Sequence, residues 1–178
     1  MGQFEDLLVA TAQSPAMLFY LDNKTSIGPH SMAAFRAQLN PDTKRREPGL
    51  NENYGRELME LHTLGVDGGY TQRDVTEVAK VFTGWTIDNP QKGGGFVFNE
   101  RRHEPGPKFV LGHTIQENGE QEGLEVLHLL ATSPATAHHL SFELAVRFVS
   151  DTPPSALVDR MAKTYMATGG DIREVLRT

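Results

Sequence analysis

Apolar residues recur along this chain at three- and four-residue intervals through most of its length, and at two-residue intervals in one stretch only. Phe4, Leu7, Leu8 and Thr11 give the first amphipathic spacing and predict a helix over Phe4 to Ala12. Ser14-Pro15 restarts the helix, with serine as the cap and proline in the first helical position, and Asp22-Asn23 ends it. The segment from Ser26 to Pro48 is rich in proline, asparagine and charge, and holds one short helix around Met32 to Leu39. A helix begins at Asn51, buries a stripe of Tyr54, Leu58 and Leu61, and ends at Gly65, where glycine takes the left-handed conformation easily. Thr71 followed by Asp74 reads as a capping box. Val75, Val78, Ala79 and Phe82 form the stripe behind it, and Gly84 stops that helix.

After Gln121 the helical period returns. Leu124, Leu127, Leu130 and Ala131 share a face, and Ser133-Pro134 makes a second cap-and-proline corner. Ala137, Leu140, Leu144 and Phe148 follow on one face while Phe142, Val146 and Val149 occupy another, which predicts a well-buried helix. Thr152-Pro153 opens a helix to about Ala167, and Asp171 caps the last one. The run L-L-V-A-T-A-Q-S-P-A-M near the start is echoed by L-H-L-L-A-T-S-P-A-T later, both reading as helix, Ser-Pro corner, helix; cap chemistry alone also produces such corners.

The exception is the stretch from Trp85 to Ile115. Its glycines, its P-G-P and its alternating runs F-V-F and F-V-L predict a β-hairpin-like excursion with Phe96 to Phe98 paired to Phe109 to Leu111. Trp85 follows a helix stop and is expected to be buried, hinging the helices to the excursion. The fold class is therefore mainly α: a multi-helix orthogonal bundle in one domain over 1–178, with one small β excursion near 86–115.

Composition narrows the function classes. A net charge of −6 argues against a general nucleic-acid binder, which needs a basic surface to neutralise phosphates. Lys44-Arg45-Arg46 reads as a solvated surface run or an anion patch. The absence of cysteine removes disulfides, thiolate metal sites and thiol nucleophiles. No apolar run approaches the roughly 20 residues that span a bilayer, and Met1 to Ala10 shows no signal-peptide pattern.

The densest polar pattern lies on the Asn51 helix, with Asn51, Asn53, Arg56, Glu57, Glu60 and His62. Glu52, Arg56 and Glu60 stand four residues apart, so opposite charges share a face. Glu57 and Glu60 are one turn apart, a spacing at which two carboxylates share a proton, a divalent cation or an arginine. His62 points elsewhere on the helix, and neither the E-x-x-H nor the H-E-x-x-H metal signature is present. His103-Glu104 sits in the loop, where a histidine near neutrality suits proton transfer, or merely fixes the loop by a hydrogen bond. The candidate catalytic residues are Glu57, Glu60 and His103; the candidate binding residues are Asn53, Arg56, His62 and Lys108. His138 and His139, adjacent on one helix, point about 100° apart and do not share a metal. The glycine run at Gly93 lacks the lysine-threonine end of a phosphate loop, and no nucleophile elbow occurs. No cofactor and no metal is expected.

Several of these runs together resemble the domain-of-unknown-function 1800 family of bacterial proteins. They are S-P-A-M-L-F-Y-L-D-N at Ser14, the stretch from Gly49 to Trp85, G-G-G-F-V-F at Gly93, H-E-P-G-P-K-F-V-L-G at His103, S-P-A-T-A at Ser133, R-F-V-S-D at Arg147 and G-D-I-R-E-V-L-R at Gly170. The family commonly has His-Asp where this chain has His103-Glu104, which loosens any strict carboxylate geometry there. It has a small helix former where this chain has Gly55, which costs about 1 kcal/mol of helix propensity or allows close packing. Members of that family are usually longer, with a helical region ahead of this one. The resemblance thus implies part of a larger protein or a short member of the family; the compartment is left open, with the cell envelope or periplasm as the expectation only if an N-terminal signal belongs to a missing portion. Two readings follow: a non-catalytic helical module packing on the rest of its own protein or on an envelope partner, and prone to self-association when isolated; or a hydrolytic enzyme or divalent-metal site built from the Asn51 helix and the His103 loop.

Overall fold

The computed structural model describes residues 2–39, 49–89, 91 and 93–178. Lys44-Arg45-Arg46 lies outside them. Among the described residues there are nine α-helices: α1 Phe4–Ala12, α2 Pro15–Tyr20, α3 Met32–Gln38, α4 Glu52–Glu60, α5 Gln72–Val81, α6 Glu120–Ala131, α7 Pro134–Phe148, α8 Ser155–Thr168 and α9 Ile172–Arg177. Four short strands follow α5: β1 Trp85–Ile87, β2 Phe96–Phe98, β3 Lys108–Val110 and β4 His113–Ile115. The mainly helical reading holds. Contacts divide the chain into two units: Met1–Ala10 with Leu58–Gly69 and Leu127–Thr178, and Thr11–Glu57 with Tyr70–Val126.

In the first unit α7 packs along α8, and Phe4 meets Tyr165 at 6.0 Å between ring centroids. The buried face of α7 is made of small residues, Thr136, Ala137, Ser141 and Ala145, which let backbones approach closely. Phe142, Phe148 and Val149 are exposed, so α7 is buried on one face rather than two. α4 stops at Glu60, ahead of the expected Gly65, because the Thr63 hydroxyl donates to the Leu58 and Met59 carbonyls and takes over the end of the helix. Met59 is buried in the place expected for Leu61, which is exposed. Gly65 has φ 81°, and a methyl group there would meet the His139 ring at 2.8 Å.

In the second unit α4 lies against α5 at Gly55, where an added methyl would stand 3.1 Å from the Ala79 nitrogen. Close packing, not a helix defect, accounts for that glycine. The Thr71–Asp74 capping box forms as its sequence predicts. Trp85 is fully buried, with Phe82 at 4.9 Å and Phe96 at 5.0 Å in edge-on contact. A methyl on Gly123 would stand 2.3 Å from the indole, so the first turn of α6 lies directly on the ring.

The strand pairing differs from expectation. Phe96–Phe98 pairs antiparallel with Trp85–Ile87, not with Phe109 to Leu111, and Lys108–Val110 pairs with His113–Ile115. Two local hairpins replace one longer one. Leu111 at φ 49° and Gly112 at φ 83° supply the consecutive left-handed residues of a tight turn, so β3 finds its partner with little loss of chain entropy. The packing of Phe96 on Trp85 fixes the other pair.

The echoed Ser-Pro corners share a device. The Tyr54 hydroxyl donates to the Ala12 carbonyl at 2.7 Å, and the Tyr165 hydroxyl donates to the Ala131 carbonyl at 2.7 Å. Each phenol is buried and satisfies an orphan carbonyl at a helix end. Burial pushes both phenols well above their usual range.

Candidate functional site

Glu122 is the third residue of α6, the position from which a glutamate reaches back to the open N–H groups of its own helix. Its Oε1 accepts from Asn118 N–H at 2.9 Å and Gly119 N–H at 3.1 Å. The same carboxylate extends beyond the cap. His103 Nε2 lies 2.9 Å from Oε1, and Lys108 Nζ lies 2.6 Å from Oε2. These side chains are 5 %, 1 % and 0 % exposed for His103, Lys108 and Glu122.

The rest of the cluster is equally engaged. Lys108 Nζ also donates to the Glu104 carbonyl and stands 3.2 Å from His103 Nε2. His103 Nδ1 lies 2.8 Å from the Thr83 carbonyl, which only accepts, so Nδ1 carries a proton. The Glu104 N–H donates to Thr83 Oγ1 at 2.8 Å. Burial alone raises the Glu122 carboxyl. The hydrogen bonds from His103 and Lys108, with the Asn118 N–H, outweigh that and hold it below the usual carboxylate range. Glu122 is therefore an anion at neutral pH, and Lys108 is its counter-ion.

A second layer surrounds Glu104. Its buried carboxylate accepts the His30 N–H at 2.8 Å and meets His30 Nδ1 at 2.5 Å. The Gly28 N–H donates to the Arg102 carbonyl, and a methyl on Gly28 would stand 2.6 Å from the Glu104 Cα. Beside His103 opens a cavity of about 870 Å³, walled by Ser31 and Met32, by Phe98 and Pro105, and by Asn118 to Glu120.

Of the residues singled out by sequence, the structure brings His103 and Lys108 together and adds Glu122 and Thr83 to them. Glu57 and Glu60 are half-buried on α4, and His62 is half-buried in the turn after it. Asn53 is exposed, with its N–H donated to Asn51 Oδ1. Arg56 donates to Gln72 Oε1 at 2.7 Å, and Gln72 Nε2 donates to Glu52 Oε2 at 2.7 Å, so a glutamine stands between the charges expected to pair. No group of three or more His, Asp or Glu side chains among the described residues is arranged to hold a metal ion. Glu122 carried a sequence signal: a glutamate at the third helical position, after Asn-Gly and ahead of an apolar run. Thr83 carried none.

Neither the curated proteins nor the solved structures include a match to this chain. The family model described as "Protein of unknown function (DUF1800)" matches residues 1–178, and the chain belongs to that family.

Proposed function

We propose that the chain is a non-catalytic helical module of a larger bacterial protein, and that its buried ionic cluster is structural. One observation carries this reading. Every buried ionisable side chain among His, Lys, Asp and Glu in the described residues, namely His103, Glu104, Lys108 and Glu122, belongs to the one cluster. There it joins the second hairpin to the start of α6. Lys108 and Glu122 are withdrawn from solvent and stand as an ion pair at 2.6 Å, and neither lines the cavity beside His103. The partner would be the remainder of its own protein or an envelope protein. Exposed Phe19, Tyr20, Phe35 and Phe148 support an associating role. No helix among the described residues is long and apolar enough to cross a membrane.

The alternative, a hydrolytic or divalent-metal site using the His103 loop, draws on the cavity beside His103. Denaturant unfolding separates the two. A structural pair broken on one side leaves a buried charge, so Lys108→Met alone should lose about 3–5 kcal/mol, and the Lys108→Met, Glu122→Met double variant should regain much of it. Active-site groups are commonly held at a cost to stability. A gain in stability on replacing His103 or Glu122 alone would therefore overturn the module reading in favour of the site.

A further inference from the structure

We propose that α3 is a lid on the cavity beside His103, latched by the His30–Glu104 pair. The inference holds whether the buried cluster is structural or reactive. α3 has no buried residue. Its half-buried positions are Ala33, Ala34 and Ala37, whose methyl groups cover little apolar area, while Met32, Phe35 and Leu39 are exposed. Apolar side-chain burial on this helix is therefore slight, and strong polar ties lie just before it. Ser31 caps the helix by accepting the Ala34 N–H at 3.2 Å. His30 grips the buried Glu104 carboxylate twice, through its main-chain N–H and its ring. Gly28 lies on the Glu104 backbone, where any side chain would be excluded.

The latch has its free end in solvent and its fixed end in the core. The His30 side chain is 78 % exposed, against 6 % for Glu104. The Glu104 main chain is held from the other side by Thr83 and Lys108. Ser31 and Met32 form one wall of the cavity, so movement of the segment away from Glu104 uncovers the others, including His103 and the start of α6. Elements that open in this way are drawn from the weakly packed end of a structure.

Hydrogen exchange at constant pH, read together with thiol labelling, tests the lid. His30→Ala leaves the core untouched because the ring is mostly outside it. Exchange of the α3 amides should rise about tenfold, the effect of losing one hydrogen bond to a charged group, while the α5 amides keep their protection. His30→Gln, which restores a side-chain donor, should recover most of it. The chain has no cysteine, so Glu120→Cys on the cavity wall provides a single reporter. Its rate of reaction with a bulky maleimide should rise in step with α3 exchange when His30→Ala is added. Unchanged α3 exchange in His30→Ala, or an equal rise in α5, would overturn the latch. Faster α3 exchange with an unchanged labelling rate would overturn the lid.

Discussion

Two polar regions of this molecule invite comparison: the face of α4, where charges crowd onto one helix, and the start of α6 with the second hairpin, where they are spread along the chain. On α4, Glu52 and Arg56 meet through Gln72, and Thr76 donates to Glu52 at 2.7 Å, all in exposed or half-exposed positions. Around the start of α6, residues far apart in sequence, Thr83, His103, Lys108 and Glu122, converge in a buried place. The same residue types have different weights in the two settings. Charges in high dielectric interact by fractions of a kcal/mol, whereas desolvated charges must be matched or the fold fails. Polar density along a sequence measures solvation more readily than it marks a site.

The strongest challenge to this contrast is removal of the aromatic group that supports the buried cluster. Trp85→Ala should cost about 3–5 kcal/mol in urea unfolding, since the indole is fully buried between Phe82, Phe96 and Gly123. An unchanged midpoint would show that α6 and the hairpins do not depend on each other through that ring.

Acid titration sharpens the comparison next. The folded-state pKa of Glu122 is depressed, so its contribution is fully present above the unfolded carboxylate value of about 4.3 and is lost as pH falls below it. Asp74 and Glu77 are lowered in the same sense: burial alone raises each, and hydrogen bonds from Thr71 to Asp74 and from Lys80 to Glu77 lead the groups that outweigh it. Melting temperature should therefore fall below about pH 4. In Glu122→Gln, which starts less stable, that fall should be shallower. Equal acid slopes for the two proteins would place the acid sensitivity elsewhere.

The smallest effects are expected on α4. Arg56→Ala should change stability by no more than about 0.5 kcal/mol. Ca²⁺, Mg²⁺, Mn²⁺ or Zn²⁺ should leave the melting temperature unchanged. A metal-dependent rise abolished by Glu57→Gln with Glu60→Gln would instead make α4 a cation-binding element and reverse the ranking of the two regions.

Local chemistry was readable in the sequence because it is set within a few residues. Ser133-Pro134, Thr71 with Asp74, and Asp171 each cap the helix they precede, and Asp171 accepts from both Arg173 and Glu174 N–H groups. The Trp85 burial followed from its place between a glycine stop and a strand-like run. Strand partners were less legible, since F-V-F and F-V-L do not encode which neighbour each prefers, and the tight turn relies on a left-handed Leu111 that its residue type disfavours. The cluster was half visible. His103 and Lys108 stand five residues apart, Lys108 at the start of β3, but their carboxylate comes from a helix cap, and a capping glutamate ordinarily faces solvent.

The second hairpin bears on how this chain behaves at high concentration. The outward N–H groups of Phe109 and Leu111 donate to Glu77 Oε2 at 3.0 Å and Asp74 Oδ1 at 2.8 Å, both side chains of α5. A two-stranded ribbon otherwise offers a row of open donors to any extended segment it meets, the usual first step of edge-to-edge aggregation. Here a helix supplies carboxylates in place of a third strand, and the free side of β3 is closed to strand addition by groups that repel an incoming backbone carbonyl.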